Sequence, residues 1–433
     1  MVLVRALGIG VLEFIVGVAW GVVLSLYAKS MVDSGVDGGL YGLLGLILST
    51  TSILSLIITG LMLDKGFRLH ATISAGVALS LGLYLINYNY DIITSLLVVL
   101  ALGYAMGSHN NISIYTLSLY SRGYPLVFTI AYSLSLLGFS LGALLIALKI
   151  NIRSLLIILI ILVLLSFLAY STLITEVHGN TKLTPRLGRV SRSIVLVTLI
   201  VLLTGLSLGM SVYNYDYYIV ALLGLDEASV GLTLSIASIA ASITVLFSSL
   251  LINTFNYSIR FYSISMATQA LSITLLAYTS SSQIAPLFYA LRSSAGIVAD
   301  SLLDSIYTRI VDFSMRGLTI AIVLTSYEVG LGLGKLVGSS ISGLGYDKPM
   351  IIGSIIIVGI AIFSSKILNV VDDRVTLIYN SNLKSRREAY NETTSSYYRG
   401  VISVVMNMII FTLNTLVIHI ARLHSYLINA RFG

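Results

Sequence analysis

The stretch Gly60-Leu-Met-Leu-Asp64-Lys65-Gly66-Phe67-Arg68 decides the fold. In front of it runs Tyr41–Leu63, without a single charged residue, and behind it Ala71–Asn87, equally uncharged. A helix of about 20 apolar residues crosses a bilayer core of roughly 30 Å. Two such runs joined by a short charged turn read as a helical hairpin threaded through a membrane. Asp64 closes the first helix, while Lys65 and Arg68 face anionic lipid and helix ends.

The rest of the chain repeats this pattern. Of 433 residues, 57% are hydrophobic and only 10% charged, against about 25% charged in an ordinary soluble domain. Mean hydropathy is +0.97. A soluble globule has no way to hide so much apolar surface. A soluble enzyme, a disordered chain and a nucleic-acid binder are therefore excluded. The apolar runs do not alternate, which argues against a β-barrel. The net charge of +7 lies in short loops and reads as topology. With no Cys there is no disulfide, thiolate metal site or Cys nucleophile. Neither a phosphate-binding Gly-x4-Gly-Lys-Ser/Thr loop nor a His-Glu-x-x-His element occurs, so no cofactor, metal or ATP is expected.

The expected fold class is all-α, a polytopic membrane protein with twelve spans. The runs are Val4–Ala28, Tyr41–Leu63, Ala71–Asn87, Ile92–Leu119, Leu126–Leu148, Ser154–Leu173, Ser193–Tyr213, Ser229–Ile252, Phe261–Tyr278, Pro286–Tyr307, Leu318–Gly343 and Met350–Leu368. With the N-terminus in the cytoplasm, 17 Lys and Arg fall on the cytoplasmic side and four outside: Lys29, Lys149, Arg153 and Lys348. That asymmetry is the positive-inside signal. A multi-pass protein of the plasma membrane with a cytoplasmic N-terminus is expected. Beyond residue 368 lies a polar segment, 369–400, expected in the cytoplasm. Its Asn391-Glu-Thr393 sequon is therefore discounted. A further uncharged run, Val401–Ala421, reads either as a thirteenth span or as a helix lying on the membrane.

An internal repeat is visible. Sliding the second half back by 189 residues brings Gly231 onto Gly42, Ser249 onto Gly60 and Asn253 onto Asp64. A slide of 194 brings Arg316-Gly317 onto Arg122-Gly123 and Gly332 onto Gly138. Two six-helix bundles follow, 1–174 and 193–368, joined by a basic cytoplasmic linker, 175–192, with a hydrophobic C-terminal helix in 401–433.

The loop at Gly60–Arg68 resembles the signature loop of the major facilitator superfamily, Gly-x-Leu-x-Asp-Arg/Lys-x-Gly-Arg. Gly60, Asp64, Lys65 and Arg68 fit; the second glycine stands one place early, at 66. The resemblance covers roughly residues 1–370. It implies a transporter working by alternating access between its two halves, with helices 1, 4, 7 and 10 lining the central cavity. It also implies that Asp64 clasps the start of helix 11, where Arg316 is a candidate partner. The gating loop is thus Gly60, Asp64, Lys65, Arg68 and Arg316. Two departures speak against a drug–proton antiporter: Ala143 stands where helix 5 of those proteins has proline, and Gly103 where helix 4 has arginine.

Charges inside a bilayer are costly, roughly 2.5–3.5 kcal/mol each on insertion scales. Glu13 and Glu328 sit near mid-membrane and are the proton-coupling candidates. The competing reading of Glu328 is an ion pair with Lys335 or Arg292. Arg292 fits either that role or the binding of a substrate carboxylate or phosphate. Asp300 and Asp304 are expected to pair with Arg309 or Arg260. His109 and Asn110, in the polar stretch Ser108–Asn111 of helix 4, join Arg292 as substrate-cavity candidates. The tyrosines from Tyr213 to Tyr218 fit an interfacial belt or a cavity rim. Helix 5 has Gly138-x3-Gly142 and helix 11 a run of glycines, spacings that let helix backbones approach.

The functional expectation is a secondary active transporter of a small organic solute, proton-coupled and monomeric, with no catalytic residues. The alternative is a membrane-embedded lipid flippase or enzyme built on the same bundle. An enzyme would need paired carboxylates or histidines at a loop border, and the short outer loops carry none.

Overall fold

The computed structural model describes residues 2–86, 92–121, 125–150, 152–178, 192–213, 226–255, 258–279, 284–310 and 316–364. These belong to one compact unit, Met1–Asp372. The run Val401–Ala421, the polar segment before it and most of the linker lie outside the described residues.

Twelve helices occur among the described residues. They are α1 (Val2–Asp33), α2 (Gly38–Asp64), α3 (Arg68–Leu85), α4 (Ile92–Ser121), α5 (Pro125–Ala147) and α6 (Ile152–His178). After the linker come α7 (Arg192–Leu208), α8 (Glu227–Phe255), α9 (Ser258–Ala277), α10 (Ala285–Ile310), α11 (Arg316–Ser342) and α12 (Asp347–Ser364). Among them nine are long and apolar enough to cross a membrane. The other three are α3, α9 and α10. α3 opens on Arg68, α9 carries Arg260 in its first turn, and α10 carries Arg292, Asp300, Asp304 and Arg309.

Why these helices start and stop where they do is local chemistry. Asp37 caps α2, accepting the Leu40 N–H at 2.7 Å. Asp226 caps α8 in the same way, accepting the Ser229 N–H at 2.9 Å and its hydroxyl at 2.6 Å. Carboxylates at these positions satisfy amides that have no partner within the helix. The two caps are 189 residues apart, the spacing of the repeat. At its far end α2 closes through Phe67 N–H to the Met62 carbonyl (2.8 Å) and Gly66 N–H to the Leu63 carbonyl (3.2 Å). Gly66 takes φ +84°, a left-handed conformation that favours glycine and ends helices. The glycine that stood one place early in the loop is therefore the helix terminator.

The helix pairings recur with a shift of six. α1 packs on α5 as α7 packs on α11, α2 on α4 as α8 on α10, and α3 on α4 as α9 on α10. Two further pairs, α2 with α11 and α5 with α8, are each other's equivalents. Glycines make the closest of these contacts. In α1 and α5, Gly17 and Gly21 face the Ser135 and Phe139 carbonyls, while Gly138 and Gly142 face those of Phe14 and Val18. A β-carbon at any of the four would collide with the opposite backbone. In α7 and α11, Gly205 and Gly209 face Tyr327 and Leu331, and Gly330 and Gly334 face Leu202 and Leu206. The equivalent of Gly138 is thus Gly330, not Gly332. The offset is 192 residues, because positions four apart share a helix face and Gly332 points at Leu46 and Ser49 of α2.

Outside these seams the helices present apolar side chains outward, such as Ile157, Ile158, Ile161 and Leu165 on α6. In water such a surface would be a liability; against lipid it is the expected solvent-facing side.

Candidate functional site

A cavity of about 320 Å³ opens among eight helices. Trp20, Leu24 and Tyr27 enter from α1, Tyr41 and Leu48 from α2, Leu102 and Met106 from α4, and Phe139 from α5. The later helices supply Leu208, Val212 and Tyr213, then Val230 and Leu234, then Tyr289 and Arg292, and lastly Tyr327, Leu331 and Lys335. The spacing explains the convergence: 20, 24 and 27 share one face of α1, and 327, 331 and 335 one face of α11. Leu208 ends α7, and the next five residues, Gly209–Tyr213, form a single π-helical turn. Such turns re-aim side chains. Here the Tyr213 ring stacks on Tyr41 with centroids 4.6 Å apart, and the Tyr213 hydroxyl donates to the Tyr41 carbonyl at 3.3 Å. Of the two roles open to it, Tyr213 takes the cavity rim.

Among the described residues, two cations and no carboxylate line this wall. Lys335 is 2% exposed. Its ammonium donates to the Ser49 hydroxyl at 3.1 Å and to the Gly45 carbonyl at 3.4 Å, and lies 4.4 Å from the Tyr213 ring centre. Arg292 stands 5.0 Å over the Tyr289 ring, and its buried Nε has no hydrogen-bond partner among the described residues. Cations over aromatic faces are held by the ring quadrupole.

Glu328 is buried two turns before Lys335, within electrostatic reach of it, with Ser49 and Ser52 against its carboxylate. One of its oxygens has no hydrogen-bond partner among the described residues. Asp300, two turns beyond Arg292, feels the Arg292 charge. Asp304 accepts a hydrogen bond from the Tyr132 hydroxyl of α5, a neutral partner where an arginine was expected.

Glu13 and His109 lie elsewhere, in a buried cluster between α1, α4 and α6. Glu13 accepts a hydrogen bond from the Tyr170 hydroxyl. His109 Nε2 is 3.4 Å from the Glu13 carboxylate, close enough to interact but not aligned as a hydrogen bond. Phe167 stacks edge-on against His109. Neither Glu13 nor His109 nor Asn110 lines the cavity above; of the three substrate-cavity candidates, Arg292 does. The polar stretch of α4 is divided among neighbours: Ser108 receives the Thr59 hydroxyl and Asn111 donates to the Leu56 carbonyl, both on α2.

At the far end from this cavity α2 and α11 are held together. The Asp64 carboxylate accepts the Gly317 N–H at 2.9 Å and the Leu318 N–H at 2.8 Å. It caps the start of α11 through the backbone, with the Arg316 charge nearby. Arg316 itself reaches to α4, donating to the Ser118 carbonyl at 3.0 Å. Gly60 and Gly317 let α2 and α11 touch there. Lys65 is exposed and Arg68 buried. The cavity lies toward the opposite end, where α1 ends and α2 begins.

The Major Facilitator Superfamily profile matches residues 197–426, over half of the chain. The chain belongs to the major facilitator superfamily. As a superfamily member it is a multi-pass membrane protein and a transporter rather than an enzyme. Its fold is similar to that of the human organic anion transporter MFSD10 (TETRAN), at 13% identity and a TM-score of 0.59. That alignment covers 82% of this chain and 99% of the other. It is also similar to a bacterial homologue of the iron transporter ferroportin in an outward-facing state, at 14% identity, a TM-score of 0.55, and 83% and 99% coverage. No curated protein matches the sequence.

Sequence reasoning missed the aromatic wall and the place of Lys335 in it. The signal was present as Trp20 and Tyr27 seven apart on α1, and Tyr327 and Lys335 eight apart on α11. It was shared between helices that only the fold brings together.

Proposed function

We propose that this superfamily member is a secondary active carrier of a small organic solute, working by alternating access and coupled to protons. The observation that carries the reading is the cavity itself. Residues from α1, α2, α4 and α5 face residues from α7, α8, α10 and α11 across it, and the Asp64 contact holds α2 to α11 below. The repeated pairings support two six-helix halves, 1–174 and 193–368, that rock about this centre. With the N-terminus in the cytoplasm, the Asp64 end is cytoplasmic and the chamber faces outward across the plasma membrane. The Asp64, Lys65, Arg68 and Arg316 group is then the inner gate, and the single chain is the working unit.

Glu13 and Glu328 carry the protons. Each is a buried carboxylate with a neighbour able to follow its charge: His109 and Tyr170 at Glu13, Lys335 at Glu328. Losing a proton from either leaves a charge that these partners compensate.

The test is proton movement into proteoliposomes loaded with a pH-sensitive dye, across amino acids, sugars, organic acids and lipophilic cations. A solute-dependent pH change that vanishes in Glu13→Gln or Glu328→Gln supports the assignment. Solute flux without a pH change, unaltered in both variants, refutes proton coupling through them.

A further inference from the structure

The geometry points to an organic anion as the solute: a molecule with an apolar, ring-sized body and one carboxylate or sulfonate, held between Arg292 and Lys335. This rests on the carrier reading above and narrows it.

The wall of the cavity is asymmetric in charge. Among the described residues its lining consists of apolar and aromatic side chains plus two cations, Arg292 of α10 and Lys335 of α11. The two carboxylates within reach of these cations, Asp300 and Glu328, are set back two turns along the same helices and do not line it. A solute in the chamber therefore meets positive charge first. In a low-dielectric enclosure such an arrangement repels cations and draws anions.

The two cations differ in kind. Lys335 is a compact charge anchored by Ser49 and Gly45 and backed by the Tyr213 ring. Arg292 is fixed from one side by Tyr289, and its buried Nε is unsatisfied among the described residues. A buried donor without a partner is costly, and a planar guanidinium offers a fork that matches a carboxylate or sulfonate. An anion supplies the missing acceptor.

The remaining wall selects the body of the molecule. Trp20, Tyr27, Tyr41 and Tyr327 offer flat faces, and Leu24, Leu48, Met106 and Leu234 fill the gaps between them. A volume near 320 Å³ is at the small end of the range of roughly 300–1,000 Å³ seen for small-molecule pockets. It suits one ring and a short tail better than a lipid or a disaccharide.

The test uses a built-in reporter. Trp20 is the chain's one tryptophan and lines the cavity, so its fluorescence reports occupancy directly. The purified full chain in detergent is titrated with three molecules of matched shape: 4-phenylbutyrate, 4-phenylbutanol and 4-phenylbutylamine. Saturable quenching by the anion, at least about tenfold tighter than by the alcohol or amine, is expected from one charge-assisted hydrogen bond. Arg292→Gln weakens the anion by a similar factor and leaves the alcohol unchanged, while Arg292→Lys restores part of the loss. A thermal melt confirms that each variant is folded, and Lys335→Met serves as a second, independent probe. Equal binding of all three molecules, preference for the amine, no quenching by any, or anion binding untouched in both Arg292→Gln and Lys335→Met overturns the assignment. Anion binding without anion flux in proteoliposomes would instead sink the carrier reading and leave the anion site standing.

Discussion

The Asp64 carboxylate accepts the Gly317 N–H at 2.9 Å, tying the last residue of α2 to the first turn of α11. Leu318 donates to its other oxygen at 2.8 Å. The residues are more than 250 positions apart, and the contact joins the two halves of the sequence at one end of the bundle. It is a charge held at a helix N-terminus, where the backbone dipole is most favourable to an anion.

Replacing Asp64 with Ala removes both acceptors. Hydrogen bonds to a charged group are worth about 2 kcal/mol, or roughly thirtyfold in an equilibrium. The Asp64 end should open more often by about that factor. The chain has no cysteine, so Ser118→Cys, buried at this end under Arg316, gives a clean thiol probe. Its labelling by a soluble maleimide should accelerate in the Asp64→Ala background. An unchanged rate would mean that Asp64 is merely a turn residue.

The glycine seams make a second prediction. Gly138 meets the backbone of Phe14, so Gly138→Leu forces α1 and α5 apart. Overpacking of this sort costs about 1–3 kcal/mol or more, and a large fall in the thermal midpoint is expected. Gly359 has open space where a β-carbon would go. Gly359→Ala should leave stability unchanged or raise it by up to about 1 kcal/mol through helix propensity. Equal effects of the two substitutions would contradict the packing described.

How much of this was legible in the sequence depends on where the information lies. The clasp of Asp64 on α11 was legible through the resemblance of Gly60–Arg68 to the superfamily's signature loop. The repeat was legible in Gly42 and Gly231, which meet α11 and α5 respectively. The cavity wall was not. A helix in lipid is apolar on every side, since lipid is as apolar as the protein interior. Hydrophobicity therefore does not say that Trp20, Leu24 and Tyr27 line the cavity while Val11 faces outward. Depth, together with the superfamily's use of helix 1 to line the cavity, points Glu13 inward. Depth fixes height along the helix but not rotation about it, and Glu13 points toward Tyr170 of α6.

Outside the spans, the cap on α8 makes a prediction about pH. The Ser229 hydroxyl and amide hold the Asp226 carboxyl below its ordinary value of 3.8. A carboxylate depressed in the folded state adds stability that is complete above the ordinary value and fades as pH falls through the lowered one. Asp226→Ala should cost about 1 kcal/mol near neutrality. The difference between variant and parent should shrink in acid. A gap in melting temperature that stays constant down to the acid limit would refute the cap.

The central claim is that two halves alternate about the cavity, and distance measurement tests it most directly. In the cysteine-free chain, spin labels at Lys65 and Arg260 report the Asp64 end, and labels at Asp33 and Leu344 the opposite end; all four sites are exposed. The account predicts two distance populations for each pair, with the short population at one end rising as the long population rises at the other when 4-phenylbutyrate is added. Distances that stay fixed at both ends, or lengthen and shorten together, would contradict it.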